Sequence, residues 1–183
     1  TIYAFEPTDY AFEKLKINID LNPDARSRIK PLKLFVSDHE NSSKESQQVY
    51  SSWRVDQLVK EIHPIHCGIL KSASCKTVTI DGFVRENNID RLDLIKIDTD
   101  GNELSVLRGA KEVLCEFRPV IVFEIATYLL DENQESFYED FLKLLTPIGY
   151  KVFDSVSRCQ VTDENIRQIV PPGGSIDLVA VQL

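Results

Sequence analysis

The chain has 183 residues, enough for one domain with a sizeable core and too few for two ordinary ones. Hydrophobic residues at 43% and charged residues at 27% exclude a disordered or fibrous chain, and no apolar run has the length of a membrane-spanning helix. A net charge of −8 argues against a broad nucleic-acid-binding surface.

The predicted elements alternate between strand and helix. "TIYAF" (1–5) reads as a strand, followed by a helix over about 9–21 with Thr8 as its N-cap and Phe12, Leu15 and Ile19 on one face. Pro23 lies just beyond its expected end. "IKPLKLFVSD" is a second strand, strongest over 32–36 and ending at Ser37 and Asp38. Residues 39–76 form an irregular, insertion-like segment. It opens with a polar loop, "DHENSSKESQQ", and has room for a short helix over 56–62. "TVTIDGFVRENNI" gives a short strand and a helix from near Asp81, and "LDLIKID" gives another strand. A helix over 102–117 carries Leu104, Leu107, Lys111 and Leu114 on one stripe. "PVIVFEI" (119–125) reads as a strand covered on both faces. A helix bearing Phe137, Phe141, Leu144 and Leu145 follows, and "YKVFDSV" and "IDLVAVQL" close the chain as strands around "VPPGGS".

Such alternation implies a mostly parallel sheet with helices on both faces, in a single domain over 1–183. Ligands of these sheets sit outside the carboxyl ends of the strands. Glu6, Asp38, Asp98 with Asp100, and Glu124 all fall at such ends. Each alone reads as an exposed cap or a helix-dipole partner, but several together repel one another unless a ligand or hydrogen bonds offset the cost. Lys96 lies between Ile95 and Ile97, so its stem is expected to be buried, with the ammonium paired to a neighbouring acid or orienting an acceptor. Cys67, Cys75, Cys115 and Cys159 show no CxxC pairing and read as reduced thiols of a cytoplasmic protein. The grouping of His63, His66, Cys67 and Cys75 fits no familiar zinc spacing, and a cation between Asp98 and Asp100 lacks further oxygen ligands, so no metal site is expected.

Two blocks resemble the FkbM family of S-adenosylmethionine-dependent methyltransferases. "IYAFEPTDYAFEKLKINIDLN" (2–22) is similar to the family's second strand and following helix. "VTIDGFVRENNIDRLDLIKIDTDGNELSVLRGAKEVLCEFRPVIVFEI" (78–125) is similar to its central block, with Asp100 in place of the more usual glutamate. The resemblance implies a Rossmann-like class I methyltransferase fold whose last strand is antiparallel. It assigns Glu6 to the cofactor's ribose diol, Ser37 and Asp38 to the border of the adenine, and Asp98 to Gly101 to the neighbourhood of the sulfonium. A carboxylate can accept hydrogen bonds from both ribose hydroxyls, and a carboxylate beside the acceptor can take its proton. Asp98 is the first candidate for that base, Glu124 the second, and Lys96 a supporting cation. The implied reaction is O-methylation of a small molecule or glycoconjugate. The family's first strand, glycine-bearing loop and helix do not occur in the sequence, and are expected to precede Thr1. A non-catalytic Rossmann-like binding or assembly domain is the alternative reading, and a nicotinamide-dependent oxidoreductase a third.

Overall fold

In the computed structural model of the chain, residues 1–41, 46–51, 69–126, 137–170 and 174–182 are described, and they fall into two units, Thr1–Val78 and Thr79–Leu183.

The first unit opens with β1 (Ile2–Phe5), α1 (Asp9–Asp20), α2 (Pro23–Arg26) and β2 (Ile29–Leu32), with β1 and β2 parallel. The apolar stripe of α1 buries Ala11 and Ile19 and half-buries Phe12 and Leu15. Pro23 does more than follow a helix end. It opens α2, where its missing N–H is no loss.

The strand expected over 32–36 is interrupted. Phe5 and Leu32 are the last pair of β1 and β2, because the chain after Phe5 turns into α1. The next segment, β3 (Phe35–Val36), therefore finds another partner, parallel β6 (Thr77–Val78). Between them the irregular segment holds an antiparallel pair, β4 (Ser46–Ser51) and β5 (Ile69–Ser74), in register from Ser46↔Ser74 to Ser51↔Ile69. Serine and glutamine along these strands hide the alternation by which strands are read. The short helix expected over 56–62, and His63, His66 and Cys67, lie outside the described residues.

The second unit runs α3 (Ile80–Glu86), β7 (Leu94–Ile97), α4 (Glu103–Arg108), α5 (Lys111–Glu116), β8 (Val120–Ala126) and α6 (Phe137–Leu145). A 3-10 turn at Thr146–Ile148 leads into β9 (Tyr150–Asp154), β10 (Gln160–Val161), α7 (Ile166–Ile169) and β11 (Ser175–Gln182). The strands form one sheet in the order β10-β9-β11-β8-β7. β7 and β8 are parallel, and β11 runs antiparallel to both β8 and β9.

One face of this sheet is core: Ile95, Ile97, Ile121, Phe123, Ile125, Val152, Leu178 and Ala180 are all buried. Phe123 stacks on Phe141 of α6 with ring centroids 5.3 Å apart, and Leu104, Leu107, Leu114 and Leu145 fill the same layer. The Tyr150 hydroxyl donates to the Pro119 carbonyl at 2.9 Å, and burial pushes its pKa up to about 12. The opposite face is not fully covered among the described residues. Val120 is exposed and Val122 half-buried, so β8 has one dry face rather than two.

The helix expected over 102–117 is two helices. Gly109 and Ala110 separate α4 from α5, and Asp81 fills the joint. Its carboxylate accepts from Glu112 N at 3.1 Å and Val113 N at 3.0 Å, while its own N–H donates to the Gly109 carbonyl at 3.0 Å. Thr79 caps α3 by accepting from Gly82 N at 2.9 Å. Thr79 and Asp81 therefore satisfy the starts of two helices, groups that have no partner within the helix itself. Leu104, Leu107 and Leu114 of the predicted stripe are buried, and Lys111 is exposed.

Candidate active site

β7 and β8 pair as Lys96↔Val122 and Ile97↔Phe123. The same parallel register carried one residue further sets Asp98 beside Glu124, and directly opposed residues point to the same side of a sheet. β11 adds Asp177, whose partner on β8 is Glu124. The less buried face therefore carries a row of acids: Asp98 just past the carboxyl end of β7, Glu124 two residues before the end of β8, and Asp177 on β11.

Alternation along β7 buries Ile95 and Ile97, and so turns Lys96 to this same face. Its stem is not buried as expected: the side chain is 59% exposed, and its Nζ donates to Asp98 Oδ2 at 2.6 Å. Glu124 is half-buried. Burial raises its pKa most, Asp98 and Asp100 raise it further, and a hydrogen bond with Ser175 partly offsets these effects.

The turn after β7 is tightly specified. Asp100 has φ 52° and Gly101 φ 104°, so two consecutive residues occupy left-handed backbone. Glycine adopts this freely, and aspartate is among the few other residues that tolerate it. Glu103, the first residue of α4, is only 3% exposed. Its Oε1 accepts from Thr99 N at 2.9 Å and Thr99 Oγ1 at 2.8 Å, and its Oε2 accepts from Gly101 N at 3.1 Å.

The remaining predicted residues belong to the first unit. Glu6 follows β1, and its N–H donates to the Leu32 carbonyl at 3.0 Å. Thr8 was expected to cap α1 with its side chain, but makes no such bond. Instead Glu6 Oε1 accepts from Thr8 N at 2.8 Å and Thr8 Oγ1 at 2.6 Å. The longer acid reaches back to the start of the helix and uses up the threonine donors. Ser37 is buried after β3, its N–H donating to the Val78 carbonyl at 2.9 Å. Asp38 Oδ1 lies 2.9 Å from His39 Nδ1 and accepts from Ser37 Oγ at 3.4 Å. The hydrogen bond with His39 is the largest cause holding the Asp38 carboxyl below its ordinary value.

No group of three or more His, Cys, Asp or Glu side chains among the described residues could hold a metal ion. Cys75, Cys115 and Cys159 are free thiols, the first buried and the other two exposed. No helix of the described residues is long and apolar enough to cross a membrane. Reading strand ends from the sequence finds Asp98 and Glu124 but misses Asp177 and Glu103. Asp177 lies near the start of an antiparallel strand, and Glu103 reads as an ordinary first-turn acid.

Parallel strands ending in adjacent acids define an α/β protein that carries its polar groups where such sheets bind ligands. The sequence specifies the family. Residues 1–152 match the Methyltransferase FkbM domain, and the chain belongs to that family. A search of curated proteins found no match. Among solved structures, methyltransferase FkbM from Methylobacillus flagellatus KT is similar over 97% of this chain and 36% of that one, with 17% identity and a TM-score of 0.52. At that identity the likeness is one of fold, and the chain spans about a third of that protein's length.

Proposed function

We propose that the protein is an S-adenosylmethionine-dependent methyltransferase of Rossmann-like class I architecture that methylates a hydroxyl on a small molecule or glycoconjugate. In this reading residues 1–183 form one methyltransferase domain, with 39–76 as an insertion. The observation that carries it is the Asp98–Glu124 pair at the ends of two parallel strands, in a chain of the FkbM family.

S-adenosylmethionine, when bound, supplies a methyl group on a sulfonium. The chain's own residues bind, orient and move a proton. Glu6 fits the ribose: Oε1 is engaged by Thr8, and Oε2 makes no hydrogen bond among the described residues, so it can accept from a hydroxyl. Ser37 and Asp38 border the adenine. Asp98 is the general base, which would take the acceptor's hydroxyl proton at a carboxylate oxygen. Lys96 orients Asp98 for that step through its hydrogen bond to Oδ2. Burial and the neighbouring acids ease protonation of Glu124, and in its protonated form it donates a hydrogen bond rather than adding a second negative charge. Gly101 gives the turn its tight path.

Calorimetric titration of the protein with S-adenosylmethionine and with NAD tests this reading. Binding of S-adenosylmethionine is expected. Binding of NAD with no binding of S-adenosylmethionine rejects it in favour of a nicotinamide enzyme.

A further inference from the structure

We propose that Glu103 is a positioning residue for the acid pair: its buried carboxylate ties Thr99 to Gly101 across the left-handed Asp100 and so holds Asp98 against Glu124. The role rests on reading Asp98 and Glu124 as the groups that serve the acceptor.

A glutamate as the first helical residue is ordinarily an exposed partner of the helix dipole. Glu103 is instead almost wholly inside the protein, where an unpartnered carboxylate is strongly disfavoured. Its three donors come from two residues, Thr99 and Gly101, that flank the strained position. Bonds on either side of Asp100 fix the direction in which the chain leaves β7. Asp98 is one residue before the first of these donors, with its other carboxylate contact to Lys96. Among the described residues, the groups acting on Glu124 are Asp98 just after β7, Asp100 in the turn and Ser175 on β11, with Asp177 opposite it on β11 and Lys96 paired to Asp98. Glu103 holds the segment bearing two of those acids. If the turn relaxes, Asp98 and Asp100 leave Glu124.

The experiment is a carboxyl NMR titration of Glu124 in the unmodified protein and in three variants. Glu103→Gln keeps the shape but offers an amide N–H to one of the flanking N–H groups, so one bond of the clasp is lost. The Glu124 midpoint is expected to fall toward the ordinary glutamate value. Thr99→Val keeps the Glu103 charge and removes one donor, and should shift the midpoint in the same direction by less. Asn165→Ala removes the bond from Thr162 N at 2.8 Å, far from the turn in sequence, and should leave the midpoint where it was.

An unmoved midpoint in Glu103→Gln overturns the proposal. A shift in Glu103→Gln with none in Thr99→Val also overturns it, because removal of a nearby charge then accounts for the change. A shift in Asn165→Ala equal to that in Glu103→Gln reduces Glu103 to a structural role. Should Glu103→Gln fail to fold, Thr99→Val decides alone. Loss of the methyl-transfer reading would show separately, as an unmodified protein that binds no S-adenosylmethionine while its Glu124 still titrates.

Discussion

Glu6 and Glu124 occupy equivalent places, each at the carboxyl end of a strand in an α/β alternation, yet their surroundings differ in kind. Glu6 belongs to a two-stranded sheet that ends as the helix begins, and its carboxylate is satisfied locally by Thr8 two residues away. Glu124 has a strand on either side, so it meets Asp98 and Asp177 across the sheet and cannot turn away from them. The first arrangement yields a pre-oriented hydrogen-bond acceptor, suited to binding. The second yields crowded acids, suited to moving a proton. Among the described residues, the number of neighbouring strands separates the two arrangements, though the residue type is the same.

Three substitutions can break or sharpen this contrast. The largest effect is expected of Asp98→Asn, which should lower turnover on the order of 100-fold or more by removing the general base. S-adenosylmethionine affinity should change little, and a methyl-transfer assay beside a binding titration checks both. Turnover equal to that of the unmodified protein would remove Asp98 from the chemistry. Next, Glu6→Ala should weaken S-adenosylmethionine binding by about 2 kcal/mol through lost charge-assisted bonds. Its melting temperature should also fall, since Thr8 loses its acceptor. A fall in melting temperature with affinity intact would make Glu6 a purely local cap.

The smallest effect concerns Glu124→Gln. The folded protein favours protonated Glu124, so this group's contribution to stability is fully present below the unfolded-state pKa and is lost as pH rises through the raised folded value. Glutamine mimics the protonated form at every pH. Glu124→Gln should therefore be modestly more stable than the unmodified protein at neutral pH, and the gain should vanish on acidification below the ordinary carboxylate range. Thermal melts across that range measure it; a variant less stable at neutral pH would contradict the crowding of acids around Glu124.

The parts of the fold that the sequence displays are those dominated by apolar runs: β1, α1, β7 and β8 stand where their hydrophobic residues put them. What it conceals depends on partners distant along the chain. The break between β2 and β3 follows from where β1 stops, and the β4–β5 pair lacks an apolar alternation to announce it. The break between α4 and α5 depends on Asp81, thirty-one residues before the N–H it caps at Glu112. That motif, Thr79 to Asp81, also shows how a block can carry family resemblance for structural reasons, since both side chains cap helices. The site divides similarly. Asp98 and Glu124 are legible because acids at strand ends have a positional meaning. Glu103 is not, because local sequence gives no sign that its carboxylate turns inward.

The left-handed conformation of Asp100 limits how this position can drift in sequence. Asparagine would keep the backbone and lose the charge. Glutamate would keep the charge, but it is not among the residues enriched in left-handed backbone. Glycine would ease the turn and leave Glu124 with one fewer acid beside it. Each replacement gives up one of the two properties, so its cost should show either in the stability of the turn or in the titration of Glu124.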